Sequence, residues 1–247
     1  MLKRIYLLGA FYLSMTLFGV FALAANLVNW LSGMLPRTRK LEKTVRAELY
    51  FLMRFWMWWL GLLRLVIVDW PEIDKLRKMR STVVVENHPN LLDICWILAA
   101  SPRVSCVIKS SIKGNGFYNA SARAAGYISN DRGLEGLHDA VDNLKRGDVL
   151  AVFPEGTRTI APPLNPIKPG FALIARQAGA PIQILYIRSN TKCFTKGVFF
   201  RPDVLPIRYD LRLGPRIDPF EEHTSMKTAH AVEKRMRSDL ESGEIWK

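Results

Sequence analysis

The first quarter of the chain is dominated by one uncharged, hydrophobic run. No charged residue occurs between Ile5 and Pro36, a span of 32 residues. About 20 apolar residues in a helix, each adding about 1.5 Å, are enough to cross the hydrocarbon core of a bilayer. The hydrophobic pattern therefore predicts a membrane-embedded helical segment in this part of the chain.

A second apolar stretch covers residues 49–68, but arginines and tryptophans interrupt it. The arginines are Arg54 and Arg64, and the tryptophans are Trp56, Trp58 and Trp59. Indole rings favour the headgroup level of a bilayer, and long basic side chains can reach lipid phosphates from an apolar helix. We therefore predict that a helix from Tyr50 to Leu63 lies in or dips into the cytoplasmic leaflet. A core helix of a globular domain is the alternative, because such helices can be apolar over the same length.

The charges that flank the first run predict its orientation. Lys3 and Arg4 precede it, whereas five basic residues follow between positions 37 and 46. Because the more basic flank normally stays cytoplasmic, we expect a protein of the cell inner membrane whose remainder lies on the cytoplasmic side. The sequence Ala22-Leu23-Ala24 would also suit a signal-peptide cleavage site. The uncharged run continues beyond it, however, which favours a retained anchor.

Beyond residue 65, short β-branched runs alternate with longer helical patterns. The predicted strands are Leu65–Val68, Val83–Val85, Val104–Ile108, Val149–Phe153 and Ile182–Ile187. The predicted helices are Asn90–Ala100, Gly116–Ala125, Leu134–Lys145 and Phe171–Gln177, with Gly126, Gly147 and Gly179 as helix stops. Strands that are apolar on both faces require helices on both sides, so the pattern predicts an α/β fold with a largely parallel central sheet flanked by helices. We divide the chain into membrane-anchoring helices at residues 1–64 and a globular domain at residues 65–247.

Charge and cysteine content narrow the possible partners. The formal net charge is +13, and the first 64 residues carry nine basic and two acidic residues. Because cations beside an apolar segment favour anionic lipid, we expect membrane lipids and not nucleic acid as partners. The three cysteines, Cys95, Cys106 and Cys193, have no C-x-x-C spacing. This argues against a disulfide framework or a zinc site and favours buried free thiols.

Polar residues follow three of the predicted strands. They are Asn87-His88, Lys109-Ser110 and Pro154-Glu155-Gly156-Thr157-Arg158. Ligands of open α/β sheets gather beyond the carboxyl ends of the strands. We therefore expect these residues to converge on one site.

His88 and Asp93 form the first candidate constellation. Pro89 suits the first turn of a helix, and residues five apart on a continuous helix lie on different faces. If His88 instead precedes the helix, Asp93 can reach back to the imidazole from the first turns. The two residues would then be a general base and the carboxylate that orients it. In isolation this spacing is more typical of a helix cap with a favourable charge at the helix amino terminus.

The run Phe153–Arg158 supplies the second constellation. Arginine presents a planar fork that suits phosphate oxygens, and Gly156 permits close approach of the backbone. Glu155 could accept a hydrogen bond from a substrate hydroxyl or hold Arg158 in place. Taken alone, Pro-Glu-Gly is also a common surface turn.

Together these segments resemble the glycerophospholipid acyltransferase superfamily, which includes the 1-acylglycerol-3-phosphate acyltransferases. Four hallmark blocks of that superfamily occur in order, which is far more specific than any one of them. They are N-H-x4-D at Asn87–Asp93, G-x-I-x-x-D-R at Gly126–Arg132, F-P-E-G-T-R at Phe153–Arg158 and a Pro-led hydrophobic strand at Pro181–Tyr186. Lys168-Pro169-Gly170 is similar to the family's K-x-G element. The resemblance covers roughly residues 65 to 200.

The resemblance implies an activity and roles for individual residues. His88 would be the base and Asp93 its partner, while Arg132, Glu155 and Arg158 would hold a glycerol phosphate. The other candidate substrate-binding residues are Lys109, Gly156, Thr157 and Lys168. The family uses no cofactor or metal and forms no acyl-enzyme intermediate. The acyl donor would be a thioester of acyl carrier protein or coenzyme A, and the acceptor 1-acyl-sn-glycerol-3-phosphate, which would become phosphatidic acid in phospholipid biosynthesis.

Departures from the family pattern leave the acceptor open. Lys109-Ser110-Ser111-Ile112 stands where relatives often carry K-K-E-L, and Asn130 replaces a usual hydrophobic residue. Another lysophospholipid, an amino-acid lipid or a specialised lipid acceptor is the first alternative. A noncatalytic lipid-binding membrane tether is the second. A serine hydrolase is disfavoured because the sequence has no G-x-S-x-G.

Overall fold

The computed structural model describes residues 2–32, 38–110, 119–198 and 200–247. Within these residues the chain forms eight α-helices, seven β-strands and a short 3₁₀-helix at Glu244–Trp246. The helices are α1 (Leu2–Ser32), α2 (Arg39–Leu62), α3 (Trp70–Arg77), α4 (Asp93–Ala100), α5 (Asn119–Ala124), α6 (Gly133–Lys145), α7 (Gly170–Ala178) and α8 (Ser225–Ser242). The strands are β1 (Val66–Val68), β2 (Thr82–Glu86), β3 (Val104–Ile108), β4 (Ile128–Ser129), β5 (Val149–Val152), β6 (Ile182–Ser189) and β7 (Ile207–Ile217).

The seven strands form one sheet in the order β1-β7-β6-β2-β5-β3-β4. Neighbouring strands run parallel, except that β6 and β7 are antiparallel. The predicted α/β class with a largely parallel sheet is therefore confirmed. The five predicted strands correspond to β1, β2, β3, β5 and β6, whereas β4, β7, α3 and α8 lie outside the predicted ranges given above.

The central strands separate two hydrophobic cores. β2 and β5 are buried along their whole length. Successive side chains of a strand point to opposite faces, so Val84 packs with side chains of α1, α2 and α4, whereas Val83 and Val85 pack with side chains of α6, α7 and α8. The layered arrangement leaves the carboxyl ends of β2 and β5 side by side, because these strands are parallel neighbours.

The helix predicted to begin at Asn90 begins instead at Asp93. The Asn90 side chain explains the difference, because its Oδ1 accepts from the Leu92 N–H at 3.0 Å and its Nδ2 donates to the Cys193 carbonyl at 2.7 Å. Such side-chain bonds to the backbone favour a turn over a helix. Pro89 therefore lies before the helix and not in its first turn.

Other predicted helix boundaries fall close to those of the structure. Gly126, Gly147 and Gly179 each follow a helix with positive φ, as helix stops require. The helix predicted at Gly116–Ala125 corresponds to α5, and residues 116–118 lie outside the described residues.

By length and composition, α1 is long and apolar enough to cross a membrane. One side of it is nevertheless packed against the rest of the protein. Leu7 and Phe11 are buried in the core that also holds parts of α2 and α4. Asn29 Nδ2 donates to Ser121 Oγ at 3.1 Å near the opposite end of the helix. The remaining face of α1 exposes large apolar side chains such as Tyr12, Leu13, Phe21, Leu27 and Trp30.

Like α1, α2 has one buried face and one face that exposes large apolar side chains. Its inner face buries Met53, Trp56, Met57 and Leu60, and its outer face exposes Phe51, Phe55, Trp58 and Leu62. Trp56 is buried and stacks on Phe18 of α1 with ring centroids 4.2 Å apart. The buried Arg46 on α2 pairs with Asp148 at 2.6 Å, directly before β5. The predicted anchor helices therefore share a core with the predicted globular domain.

All three cysteines are buried and unpaired, as the sequence predicts. Burial raises the pKa of the Cys95 thiol to about 12. Such a thiol is a poor nucleophile because the thiolate is scarce at neutral pH.

Candidate active site

Asn87 fixes the point at which the chain leaves the sheet. β2 ends at Glu86, and the Asn87 side chain continues the pairing with β6. Asn87 Oδ1 accepts from the Ile187 N–H, and Asn87 Nδ2 donates to the Ile187 carbonyl, both at 2.8 Å. Because a side-chain amide can satisfy both of these backbone groups, the main chain at residue 87 is released from the sheet. His88 therefore begins a turn at the carboxyl edge of a central strand.

Asp93 is the first residue of α4, and its carboxylate points back over the preceding turn. Its Oδ2 accepts from the Asn90 N–H at 2.7 Å and lies 3.0 Å from His88 Nδ1. The side chain of Asp93 is 0% exposed. The structure thus brings together the two residues that the sequence proposes as base and orienter, because the residues between them form a turn and not a continuous helix.

His88 is held by several neighbours at once. Its ring stacks on Phe153 with centroids 4.0 Å apart. The backbone N–H of His88 donates to Glu155 Oε1 at 2.9 Å, and its backbone carbonyl accepts from the Thr159 N–H at 2.8 Å. A carboxylate only accepts hydrogen bonds, so we place the imidazole proton on Nδ1, facing Asp93. Nε2 of the neutral ring is then the nitrogen that can take a proton from a substrate.

The Glu155 carboxylate is buried, and both of its oxygens accept hydrogen bonds from the protein. Its Oε1 accepts from the Thr159 hydroxyl as well as from the His88 N–H, and its Oε2 accepts from the Asn165 N–H, each at 2.9 Å. The Glu155 carboxylate therefore bonds to donors around the turn. It does not pair with Arg158, although holding Arg158 in place is one of the two roles considered for it. Glu155 positions the backbone of His88, and its contact with a substrate hydroxyl stays a prediction.

A third buried carboxyl, that of Glu86, ends β2 two residues before His88. Glu86 is 0% exposed, and neither of its carboxyl oxygens has a hydrogen-bond partner in the described part of the chain. Burial raises the pKa of Glu86 well above its ordinary value, and the negative charge of Asp93 raises it further. Burial also raises the pKa of Asp93, against the opposing hydrogen bonds from His88 and Asn90. We infer that Glu86 is held as the neutral acid and that the charge facing His88 is carried by Asp93.

Glu86 is the main feature of the site that sequence reasoning missed. The signal was present, since a glutamate ends the otherwise apolar strand of β2. Asn90 was missed in the same way, because its importance lies in bonds to Leu92 and Cys193 that a spacing pattern does not contain.

Arg158 ties the turn Phe153–Arg158 to the segment 191–198. Its Nη1 donates to the carbonyl oxygens of Phe194 at 2.8 Å and Thr195 at 3.0 Å. The Leu91 N–H also donates to the Phe194 carbonyl, at 3.1 Å. One of the two terminal nitrogens of the predicted phosphate-binding fork is therefore engaged by the protein itself.

Gly156 and Lys168 meet at the same turn. Gly156 has φ +68°, a conformation that other residues rarely adopt. A Cβ atom at this position would lie 3.4 Å from Lys168 Nζ. The backbone of Lys168 is fixed as well, because its N–H donates to the Pro154 carbonyl at 2.9 Å. The structure thus places Gly156, Thr157 and Lys168 within one small region beside His88.

Lys109 and Arg132 are not joined to this region by any contact among the residues described. Lys109 is exposed directly after β3, as predicted. The Arg132 guanidinium pairs with Asp139 and with Glu135, both carried by α6. Their predicted roles in substrate binding stay predictions.

Comparisons with known proteins relate the chain to acyltransferases. A family model described as Acyltransferase matches residues 68–188. A putative 1-acyl-sn-glycerol-3-phosphate acyltransferase, acl-1, of Caenorhabditis elegans is 30% identical over 118 residues, which are 43% of this chain and 44% of the relative. A probable 1-acyl-sn-glycerol-3-phosphate acyltransferase of Mycoplasma genitalium is 25% identical over 145 residues, 55% of this chain and 52% of the relative. The chain thus spans about half the length of the curated relatives it matches.

The fold has a counterpart among solved structures. The crystal structure of the 1-acyl-sn-glycerophosphate (LPA) acyltransferase PlsC from Thermotoga maritima is similar, with a TM-score of 0.68 and 24% identity. The similarity covers 98% of this chain and 96% of the other. This similarity shows the fold. The residues matched by the Acyltransferase family model contain both the His88–Asp93 pair and the turn Phe153–Arg158.

Proposed function

We propose that the protein transfers a fatty acyl group from a thioester to the free hydroxyl of 1-acyl-sn-glycerol-3-phosphate and forms phosphatidic acid. The observation that carries the proposal is the 3.0 Å contact between His88 Nδ1 and Asp93 Oδ2, beside the glycine turn that contains Arg158 and meets Lys168. The names of both sequence relatives support the choice of acceptor.

The proposed reaction is a direct displacement at the thioester carbonyl. His88 Nε2 removes the proton of the acceptor hydroxyl as its oxygen attacks the carbonyl carbon, and Asp93 stabilises the imidazolium that results. The tetrahedral intermediate collapses, the carbon–sulfur bond breaks, and the imidazolium returns its proton to the leaving sulfur. The products are an ester and a free thiol, so protons and electrons balance without a further reactant.

Binding of the acceptor phosphate is proposed for the basic residues around the turn. Lys168 lies over Gly156, and Arg158 keeps one terminal nitrogen that makes none of the hydrogen bonds described for it. Lys109 and Arg132 are the further candidates that the resemblance implies. Charge-assisted bonds to phosphate are shorter and roughly twice as strong as neutral ones.

The same proposal places the protein at a membrane. The outer faces of α1 and α2 expose large apolar and aromatic side chains, and the acceptor is itself a membrane lipid. A helix face of this kind gains free energy when it leaves water for the lipid. We propose the cytoplasmic side of the inner membrane because the basic residues cluster after the uncharged run.

The proposal is tested by measuring thiol release with a matrix of acceptors and donors. The acceptors are lysophosphatidate, other lysophospholipids and an amino-acid lipid, and the donors are acyl carrier protein and coenzyme A thioesters. We expect transfer to lysophosphatidate to exceed transfer to acceptors without a phosphomonoester. Preference for a neutral or zwitterionic acceptor would contradict the proposed substrate, and binding of lysolipids without turnover of any donor would contradict the proposed activity.

A further inference from the structure

Lys196 lies outside all four sequence blocks, but its side chain contacts the candidate site. Its Nζ donates to Thr157 Oγ1 at 2.9 Å, so the ammonium group sits on the turn Phe153–Arg158. Lys196 belongs to the segment 191–198, which follows β6. The side chain is exposed to solvent and is therefore accessible to a ligand.

The segment that carries Lys196 is fixed on the site by its backbone. The Phe194 carbonyl accepts from Arg158 and from the Leu91 N–H. The Cys193 carbonyl accepts from Asn90 Nδ2. The turn that follows β2 and the turn Phe153–Arg158 therefore both hold the segment. The position of Lys196 depends on the same bonds that shape the His88 turn.

Two ammonium groups converge on two consecutive residues. Lys196 Nζ contacts Thr157, and Lys168 Nζ lies 3.4 Å from the position of a Cβ atom on Gly156. Neither lysine forms an ion pair within the described ranges, and the nearby Glu155 is buried with both oxygens on other donors. Like charges without a carboxylate between them repel, and an anion placed between them relieves the repulsion.

We propose that Lys196 binds the phosphate of the acceptor lipid opposite Lys168 and selects for a phosphomonoester headgroup. This inference rests on the proposed function. An ammonium group has three donors, so Lys196 can keep its bond to Thr157 while another hydrogen points to a phosphate oxygen. Through its other terminal nitrogen, Arg158 also holds the segment that carries Lys196.

The test compares the kinetics of Lys196→Gln, Lys196→Arg and the control Lys192→Gln with those of the wild type. Lys192 lies on the same segment, is exposed and carries the same charge. Lysophosphatidate is presented in mixed micelles of a neutral detergent, so that the charge of the interface stays constant. Losing a hydrogen bond to a charged group should raise the acceptor KM of Lys196→Gln on the order of tenfold. We expect an unchanged donor KM, partial recovery in Lys196→Arg and no effect in Lys192→Gln.

Direct binding separates this inference from the proposed function. Short-chain lysophosphatidate is titrated calorimetrically into wild type and Lys196→Gln, a measurement that does not require turnover. A weaker affinity in Lys196→Gln alone supports the inference even if the wild type transfers no acyl group to this lipid. Equal affinities and equal acceptor KM values would overturn it. A rise confined to the donor KM, or an equal loss in Lys192→Gln, would also overturn it, because the lysine would then serve the donor or the membrane surface.

Discussion

At the scale of single residues, the site is built so that one nitrogen is left for chemistry. The ring of His88 is fixed by Phe153 on one face and by Asp93 at Nδ1, and its backbone is fixed by Glu155 and Thr159. A base held in one orientation loses little entropy when the substrate arrives, which is a large part of what positioning contributes to catalysis. The pair His88–Asp93 is therefore rigid before substrate binds.

The charge of Asp93 should matter more than its shape. In Asp93→Asn the amide fills the same space but cannot stabilise an imidazolium, and it can present a donor where His88 needs an acceptor. We expect kcat to fall on the order of 10²–10⁴, with little change in the acceptor KM. Steady-state kinetics of thiol release measure both constants. An unchanged kcat would show that Asp93 does not assist the base.

Glu86 predicts a pH dependence of stability. Because burial raises the pKa of Glu86 well above its ordinary value, the folded protein keeps a proton that the unfolded chain loses once the pH rises above about 4.5. The free energy of unfolding contributed by this group therefore falls as pH rises between the two pKa values. Glu86→Gln removes the titration, so its stability should fall less with rising pH than that of the wild type. Unfolding by denaturant at a series of pH values measures this difference, and parallel curves for the two proteins would contradict the neutral state of Glu86.

At the scale of elements, the turn 87–92 and the segment 191–198 shape the site together. The turn ends β2 and leads into α4, while the segment follows β6, the neighbour of β2 in the sheet. Asn90, Leu91 and Arg158 all bond to backbone carbonyls of the segment. Two loops at adjacent strand ends thus form one bonded unit.

Arg158→Ala should loosen this unit. The substitution removes the bonds to the Phe194 and Thr195 carbonyls, so we expect faster hydrogen exchange in residues 191–198 than in the wild type. Exchange in β5, which precedes the turn, should change little. Arg208→Ala removes an exposed arginine of β7 and is the matched control. Equal protection of the segment in Arg158→Ala and the wild type would show that Arg158 does not hold it.

The elements differ in how well the sequence predicts them. The buried parallel strands are continuous apolar runs between glycines and polar residues, and the sequence locates them well. β7 carries a different pattern, since Ile207, Tyr209 and Leu211 alternate with Arg208 and Asp210, which is typical of a half-buried strand. β4 has only two residues, too few for any periodicity. The start of α4 depends on bonds between Asn90 and a segment about 100 residues away, which no local pattern contains.

The contacts of the site also differ in how well the sequence predicts them. The motif spacing predicts that His88 and Asp93 meet, because that contact is local. Arg158 bonds to the segment 191–198, and Lys196 bonds to Thr157. Both contacts join residues far apart in the sequence, so they depend on the order of strands in the sheet. Sequence spacing alone therefore predicts the contact between His88 and Asp93 better than it predicts the contacts of Arg158 and Lys196.

At the scale of the whole molecule, the helices predicted as an anchor are also part of the folded core. Phe11 of α1 is 1% exposed and lies 6.1 Å from the Phe194 ring, measured between centroids. α2 is joined to the start of β5 through the buried pair of Arg46 and Asp148. Exposed apolar side chains and core side chains thus occupy opposite faces of the same helices, so the exposed apolar surface is held in a fixed relation to the site.

Two phenylalanines of α1 separate the contributions of these faces. Phe11→Ala removes a buried ring and should lower Tm by roughly 10 °C, since such truncations cost about 3–5 kcal/mol. Phe21 is 51% exposed, so Phe21→Ala should leave Tm nearly unchanged and weaken binding to vesicles. Thermal unfolding in neutral detergent and co-sedimentation with anionic vesicles measure the two effects. A similar Tm for the two variants would show that α1 is not part of the core.

The most direct test of the whole account is the rate of thiol release from an acyl thioester in the presence of lysophosphatidate, compared between wild type and His88→Ala. Removing a general base should cost on the order of 10²–10⁴ in rate. His138→Ala is the matched control, because His138 lies exposed on α6 and makes no contact with the site among the described residues. We predict that His88→Ala loses transfer at this scale while His138→Ala keeps the wild-type rate. Full transfer by a well-folded His88→Ala would contradict the proposed mechanism.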